Sequence, residues 1–215
     1  MSKAVMISIQ PKWCELIANG KKTVEVRKTR PKLETPFKVY IYCTLQGSNE
    51  FFKDTLGGDI SKWNKGEWGN KKGKVVGEFV CYDIAEYETE FYPPEKQPVY
   101  EAITEWNEEN EVYEAVASNC DTYQTNFLKS TCMALEDFRE YLGVGEISFY
   151  GWHISELVIY AEPKELSEFT KTGALSYEDW LYGIYNGTSA SSYEKYLMPF
   201  KVTKPPQSWC YVTEI

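Results

Sequence analysis

The sequence predicts an α+β fold in which a small, curled, antiparallel or mixed β-barrel carries flanking helices. Four β-compatible runs, "AVMISI", "KTVEVR", "FKVYIYCTL" and "GKVVGEFVCYDIAEYE", crowd into the first 90 residues. A short helical pattern, "QPKWCELIANG", separates the first two. Gly77 interrupts the longest run, where a bend or bulge suits a curling sheet.

The first run is apolar and β-branched, and it ends where Pro11 opens the helix and Gly20 closes it. Within that helix Trp13, Leu16 and Ile17 recur at i, i+3 and i+4 and predict one packed stripe. "KTVEVR" alternates, with Val24 and Val26 on one face and Thr23, Glu25 and Arg27 on the other. That period predicts a half-buried strand whose polar face meets water or a ligand. Residues 37–45 predict a third strand and residues 73–88 a fourth, with a long loop over residues 46–73 between them. Residues 99–118 are helix-permissive and acidic, and residues 132–142 predict a second helix closed by Gly143. A further strand is expected around residues 152–160. A Tyr-rich helical or irregular stretch follows, and a last strand comes after Pro205-Pro206.

The chain is 215 residues long, 43% hydrophobic and 16% aromatic, which excludes a disordered polymer and fits one domain, residues 1–215. No apolar run approaches the roughly 20 residues that cross a bilayer. The start "MSKAVMISIQPKW" lacks the features of a secretory signal, so a cytoplasmic location is expected. The six cysteines are scattered without a CxxC pair and read as reduced, buried thiols. His153 is the single histidine, which rules out multi-histidine metal sites within one chain and assigns it a hydrogen-bonded structural role. There is neither a GxSxG elbow nor a P-loop, and no metal or cofactor is expected. Asn186-Gly187-Thr188 fits a glycosylation pattern that a cytosolic chain would not use.

The net charge of −9 is unevenly spread. Residues 1–38 carry +6, residues 39–80 carry +1, residues 81–168 carry −16 and residues 169–215 are neutral. A basic face on an acidic body suits a locally docked phosphate or nucleotide, because at physiological salt a Debye length of about 8 Å screens the distant acids. It argues against nonspecific coating of nucleic acid. The cations concentrate in "NGKKTVEVRK". Lys21 and Lys22 there admit a helix-end reading, and Glu25 with Arg27 admits a cross-strand salt bridge or a paired acceptor and donor fork for a base edge or phosphate. Trp13, Trp152 and Trp209 stand beside these residues as core or stacking rings, and Gln207 and Ser208 offer uncharged donors and acceptors.

Gly20, Lys22, Glu25 and Arg27 meet the pattern GxKxxExR, and "GKVVGEFVCYDI", "YGWHISELVIY", "PKELSEF" and "PPQSWCYV" follow in order. In these features the chain resembles the ASCH domain of the PUA-like superfamily, in its phage and bacterial form, with insertions expected at residues 98–130 and 170–197. The resemblance implies a PUA-like barrel with a helix beside a ligand cleft, and an RNA, nucleotide or modified nucleobase as partner. It implies ligand contacts from Lys22, Glu25, Arg27, Gln207, Ser208, Trp209 and Trp152. An alternative within the family is an amidohydrolase acting on acylated cytidine, or a ribonuclease, with Lys22, Glu25 and Glu78 as the catalytic set. The threonine that the amidohydrolase branch places after its lysine is replaced here by Val24 or Glu25. A third reading, from charge alone, is a phage accessory protein that binds a host protein through the acidic segment.

Overall fold

The computed structural model describes residues 2–45, 71–92, 102–118, 125–185 and 192–215. Eight strands form a mixed sheet: β1 (Lys3–Ile9), β2 (Val24–Arg27), β3 (Phe37–Cys43), β4 (Val75–Phe91), β5 (Ala102–Asn107), β6 (Val112–Ser118), β7 (Gly145–Lys164) and β8 (Trp209–Thr213). The helices are α1 (Pro11–Ala18), α2 (Asn126–Thr131), α3 (Leu135–Leu142), α4 (Tyr177–Tyr185) and α5 (Tyr193–Leu197). The chain divides into two compact units. The first comprises Met1–Cys14, Phe37–Phe79 and Val158–Ile215, and the second Glu15–Pro36 and Val80–Leu157. The long strands β4 and β7 contribute one part to each.

In the first unit the strand order is β7-β4-β3-β1-β8. β1 runs parallel to β3, from Val5 opposite Val39 to Ile9 opposite Cys43, and antiparallel to β8, from Lys3 opposite Thr213 to Ile7 opposite Trp209. The parallel pair makes the sheet mixed; a parallel connection requires a crossover, here the segment holding α1 and β2. Six of the seven β1 residues are buried, the near-continuous apolar run of a strand covered on both faces. Ala4, Met6, Tyr40, Tyr42, Val75, Phe169, Val202 and Val212 form one core cluster. Gly77 is a matter of space, since a Cβ there would lie 2.4 Å from the Val158 carbonyl oxygen. A residue with a side chain would push β4 away from β7 at that point.

In the second unit β2, β7 and β4 are neighbours, and β5 joins β4 with β6 beyond it. Tyr87, Phe127, Phe138 and Phe149 pack as a ring cluster with centroids 4.6 to 5.5 Å apart. Such offset and tilted contacts stabilise beyond area burial by about 0.5 to 1.5 kcal/mol per pair.

Several expectations are corrected. Residues 102–118 form the β5-β6 hairpin rather than a helix. Asn107 Oδ1 accepts from the N–H groups of Glu109 and Asn110, and Glu111 sits at φ 53°, so a side-chain-driven turn breaks the helical pattern at its centre. Pairing with β4, Tyr87 opposite Glu105 and Thr89 opposite Ile103, then holds the segment extended. Helix α3 starts at Leu135 rather than 132, because Cys132 ends α2 in a left-handed conformation at φ 53°. The seventh strand is far longer than residues 152–160. In α1 the buried residues are Cys14, Leu16 and Ile17, while Trp13 is half-buried with the Lys12 ammonium 4.2 Å from its ring centre. Most of the 46–73 loop, Cys120 and the Asn186 pattern fall outside the described residues.

Candidate functional site

The basic motif belongs wholly to the second unit. Gly20 takes φ +68° just past α1, its N–H donating to the Ile17 carbonyl and that of Lys21 to the Leu16 carbonyl. This is a Schellman ending, in which a left-handed glycine satisfies the last carbonyls. The chain turns directly into β2, pinned where Thr23 N–H donates to Ser130 O and Ile154 N–H to Thr23 O. β2 pairs antiparallel with β7, placing Glu25 opposite Trp152 and Arg27 opposite Tyr150.

All four β2 residues are buried, where alternation predicts a half-buried strand with its polar face toward water or a ligand. Lys22, Glu25 and Arg27 are 2%, 5% and 7% exposed. They form one chain of charges. Lys22 Nζ donates to the Thr131 carbonyl at 2.7 Å and lies 3.4 Å from Glu25 Oε2, while Arg27 Nη2 sits 2.9 Å from Glu25 Oε1. Tyr141 hydrogen-bonds Arg27 at the far end. The helix-end reading of Lys22 therefore holds for a different helix. Its ammonium meets the last carbonyl of α2, 109 residues along the chain, rather than those of α1. Lys28 Nζ does the same for α3, 3.1 Å from Leu142 O. Cations at helix C-termini contribute about 0.3 to 1 kcal/mol each when exposed, and up to about 2 when partly buried.

Burial pushes the Lys22 ammonium below the ordinary lysine value, against the opposing pull of Glu25. Burial likewise raises the Cys132 thiol, which the neighbouring Lys22 and Lys21 partly offset, and raises the Tyr141 hydroxyl. The Lys22 contact with Glu25 Oε2 is long for a charge-assisted hydrogen bond, whereas that of Arg27 with Oε1 is close. One carboxyl group thus lies between two basic side chains. Trp152, expected as a stacking ring, is fully buried beside Glu25.

The other expected residues belong to the first unit. Glu78 on β4 pairs across strands with Lys38 at 3.2 Å and accepts from the Tyr160 hydroxyl at 2.5 Å. Lys38 also pairs with Glu214 at 3.3 Å, and Ser2 donates to Glu214. The Pro-Pro turn lies against β1, with Ser8 donating its hydroxyl to Pro206 O at 2.6 Å and its N–H to Ser208 O. Gln207 is exposed, Ser208 and Trp209 are half-buried, and Trp209 meets Tyr211 edge to face at 5.3 Å. His153 takes its expected hydrogen-bonded place, with Nδ1 3.4 Å from the Tyr82 hydroxyl. Among the described residues no group of three or more His, Cys, Asp or Glu could hold a metal ion. No helix there is long and apolar enough to cross a membrane.

Sequence reasoning missed Thr131 and Tyr141, which complete the charge chain. Their only signal is position near the ends of short helices, and nothing local ties those ends to β2.

A family model described as the ASCH domain matches residues 7–169. Comparison with curated protein sequences gives no match. Among solved structures, a crystal structure of ASCH from Zymomonas mobilis is similar at 15% identity and a TM-score of 0.48, covering 98% of this chain and 88% of that one. A point variant of the same protein is similar at 15% identity and a TM-score of 0.47, over 99% and 92%.

Proposed function

The chain belongs to the ASCH domain family, and from that premise we propose that it is a nucleotide- or RNA-binding module that recognises a phosphate-bearing nucleotide or a modified nucleobase at the Lys22, Glu25 and Arg27 triad. The observation that carries this reading is the triad itself. Two basic side chains and one carboxyl group, none more than 7% exposed, are held in contact. Buried ion networks seldom repay their desolvation by stability alone. Perturbed charges of this kind concentrate at functional sites. A basic side chain suits a phosphate, the arginine fork suits two phosphate or base oxygens, and the carboxylate accepts from an exocyclic amine. Trp152, opposite Glu25 on β7, remains in the proposed contact set, as does a partner in RNA or a modified nucleoside; Gln207, Ser208 and Trp209 belong to the first unit and are proposed separately, as a polar and aromatic contact surface of that unit.

A second reading, hydrolysis of an acylated cytidine or of RNA, is favoured by one observation. Lys22 Nζ lies 3.4 Å from Glu25 Oε2 in a buried setting, a base and an acid in contact, and burial pulls the ammonium below its ordinary value. Glu25 is its carboxylate partner in that reading; Glu78, in the first unit, is proposed as a separate candidate carboxylate.

The test is a screen of nucleosides, acylated nucleosides, mononucleotides and short RNAs for thermal stabilisation and for product. Wild type is compared with Lys22→Met, Glu25→Gln and Arg27→Lys, each checked for folding by circular dichroism. Stabilisation without turnover, lost in Arg27→Lys, supports the module, and turnover lost in Lys22→Met supports the enzyme. A folded wild type that responds to no probe removes both.

A further inference from the structure

The β4, β5 and β6 meander of the second unit presents a different chemistry. Residues 82–91 and 102–118 hold nine carboxylates and no lysine or arginine. Charge alone would be an ordinary solvated face. What distinguishes this one is that large rings stand among the carboxylates and stay in water. Trp106 is 46% exposed and Tyr113 is 52% exposed.

Strand register explains why they share a face. In β4 the odd positions Tyr87, Thr89 and Phe91 are buried, and the even positions Glu86, Glu88 and Glu90 are exposed. Glu88 stands opposite Thr104, and Trp106 two residues on from Thr104 stands opposite Tyr113. Cross-strand partners project to the same side. The two rings meet edge to face at 5.1 Å and 64°. The Tyr113 hydroxyl hydrogen-bonds Glu88, and from β7 the Tyr150 hydroxyl donates to Glu86 Oε1 at 3.2 Å. Two carboxylates are thereby fixed among three aromatic rings rather than waving free.

We propose that this face docks a lysine- and arginine-rich segment of another protein, with its cationic side chains laid over Trp106 and Tyr113 and paired to Glu86 and Glu88. Charge complementarity selects the occupant, since Glu86, Glu88 and Glu90 on this face, in a meander whose strands hold no lysine or arginine, repel nucleic acid and attract a basic chain. Side chains two apart on a strand lie about 7 Å from one another, so Glu86 and Glu88 match alternate side chains of an extended peptide. The exposed rings select further, because a guanidinium stacks on an indole or phenol face better than an ammonium does. A hydrogen-bonded carboxylate keeps free lone pairs for the incoming donor. The proposal does not rest on the triad or on a nucleotide bound there.

The test uses fluorescein-labelled octa-arginine and octa-lysine peptides, read by anisotropy at physiological salt, with octa-glutamate as control. Octa-arginine is expected to bind more tightly than octa-lysine, and octa-glutamate not at all. Replacing both rings, Trp106→Thr with Tyr113→Thr, keeps strand propensity and net charge and is expected to weaken octa-arginine about tenfold. Glu86→Gln with Glu88→Gln is expected to weaken it at least as much. Glu108→Gln with Glu109→Gln removes the same charge from the neighbouring turn and is expected to change affinity less than about twofold. If the double ring variant melts early, Trp106→Thr alone carries the comparison. Equal loss in both charge variants, an unchanged ring variant, or no peptide binding by wild type each overturns the proposal.

Discussion

Each unit contains a lysine held by glutamate, and the two lysines behave in opposite ways. In the second unit Lys22 is 2% exposed, and burial outweighs Glu25, so its ammonium is held below the ordinary 10.5. In the first unit the Lys38 side chain is 25% exposed. Burial there is the largest single influence and pulls downward, but hydrogen bonds and charge from Glu78 and Glu214 together exceed it and raise the ammonium above 10.5. The difference teaches that the pairing chemistry is the same and water decides its sign. A charge that keeps part of its hydration gains from a partner, whereas a charge stripped of water is only partly repaid.

The largest break in this comparison is Glu25→Gln. It leaves Lys22 and Arg27 buried without their shared carboxylate, and an uncompensated buried charge costs about 3 to 5 kcal/mol. Urea denaturation should show that loss, and a variant as stable as wild type would mean water reaches the triad. Gly77→Ala comes next. It places a methyl 2.4 Å from Val158 O beside Glu78, disturbing the first unit by packing with no change of charge. A cost of about 1 to 3 kcal/mol is expected from such overpacking. Glu78→Gln is the matching charge change for Glu25→Gln. Because its network is partly solvated, the loss should be about 1 kcal/mol or less, and a loss as large as that of Glu25→Gln would erase the contrast.

The smallest effect is the pH dependence, where the two lysines have opposite signs. Between the depressed Lys22 value and 10.5, the unfolded chain binds more protons at this residue than the folded one, so stability from Lys22 rises with pH in that window. The raised Lys38 value contributes stability fully present below 10.5 and lost as pH climbs through its folded value. Denaturation midpoints of wild type, Lys22→Met and Lys38→Met across the alkaline range separate the two slopes. Lys22→Met should flatten the rise below 10.5, and Lys38→Met should flatten the fall above it.

Much of the fold is legible along the chain because its signals are local. The apolar run of β1, the Pro11 start and Gly20 end of α1, the alternation of β3 and the strand after Pro205-Pro206 each depend on a few neighbouring residues. The hairpin at 102–118 was less legible. Its turn is written in Asn107, yet the acidic composition reads equally as helix until β4 supplies the pairing partner. The candidate site was legible as residues and not as an environment. Lys22, Glu25 and Arg27 stand out as a motif, but alternation predicts a polar face toward water or a ligand, and the structure buries all four β2 residues.

By itself, then, the sequence determined the element order around the motif and the grouping of Lys22, Glu25 and Arg27, since positions this close along the chain cannot be far apart. It also determined the acidic balance of residues 81–168. Only the tertiary structure decided that α2 and α3 bring their carbonyl ends to Lys22 and Lys28, that Tyr141 meets Arg27, and that Trp106 and Tyr113 stand exposed among carboxylates. The physical reason is range. Backbone propensity and periodicity act over a turn or a strand, whereas desolvation depends on whatever segment, here more than a hundred residues away, comes to exclude the water.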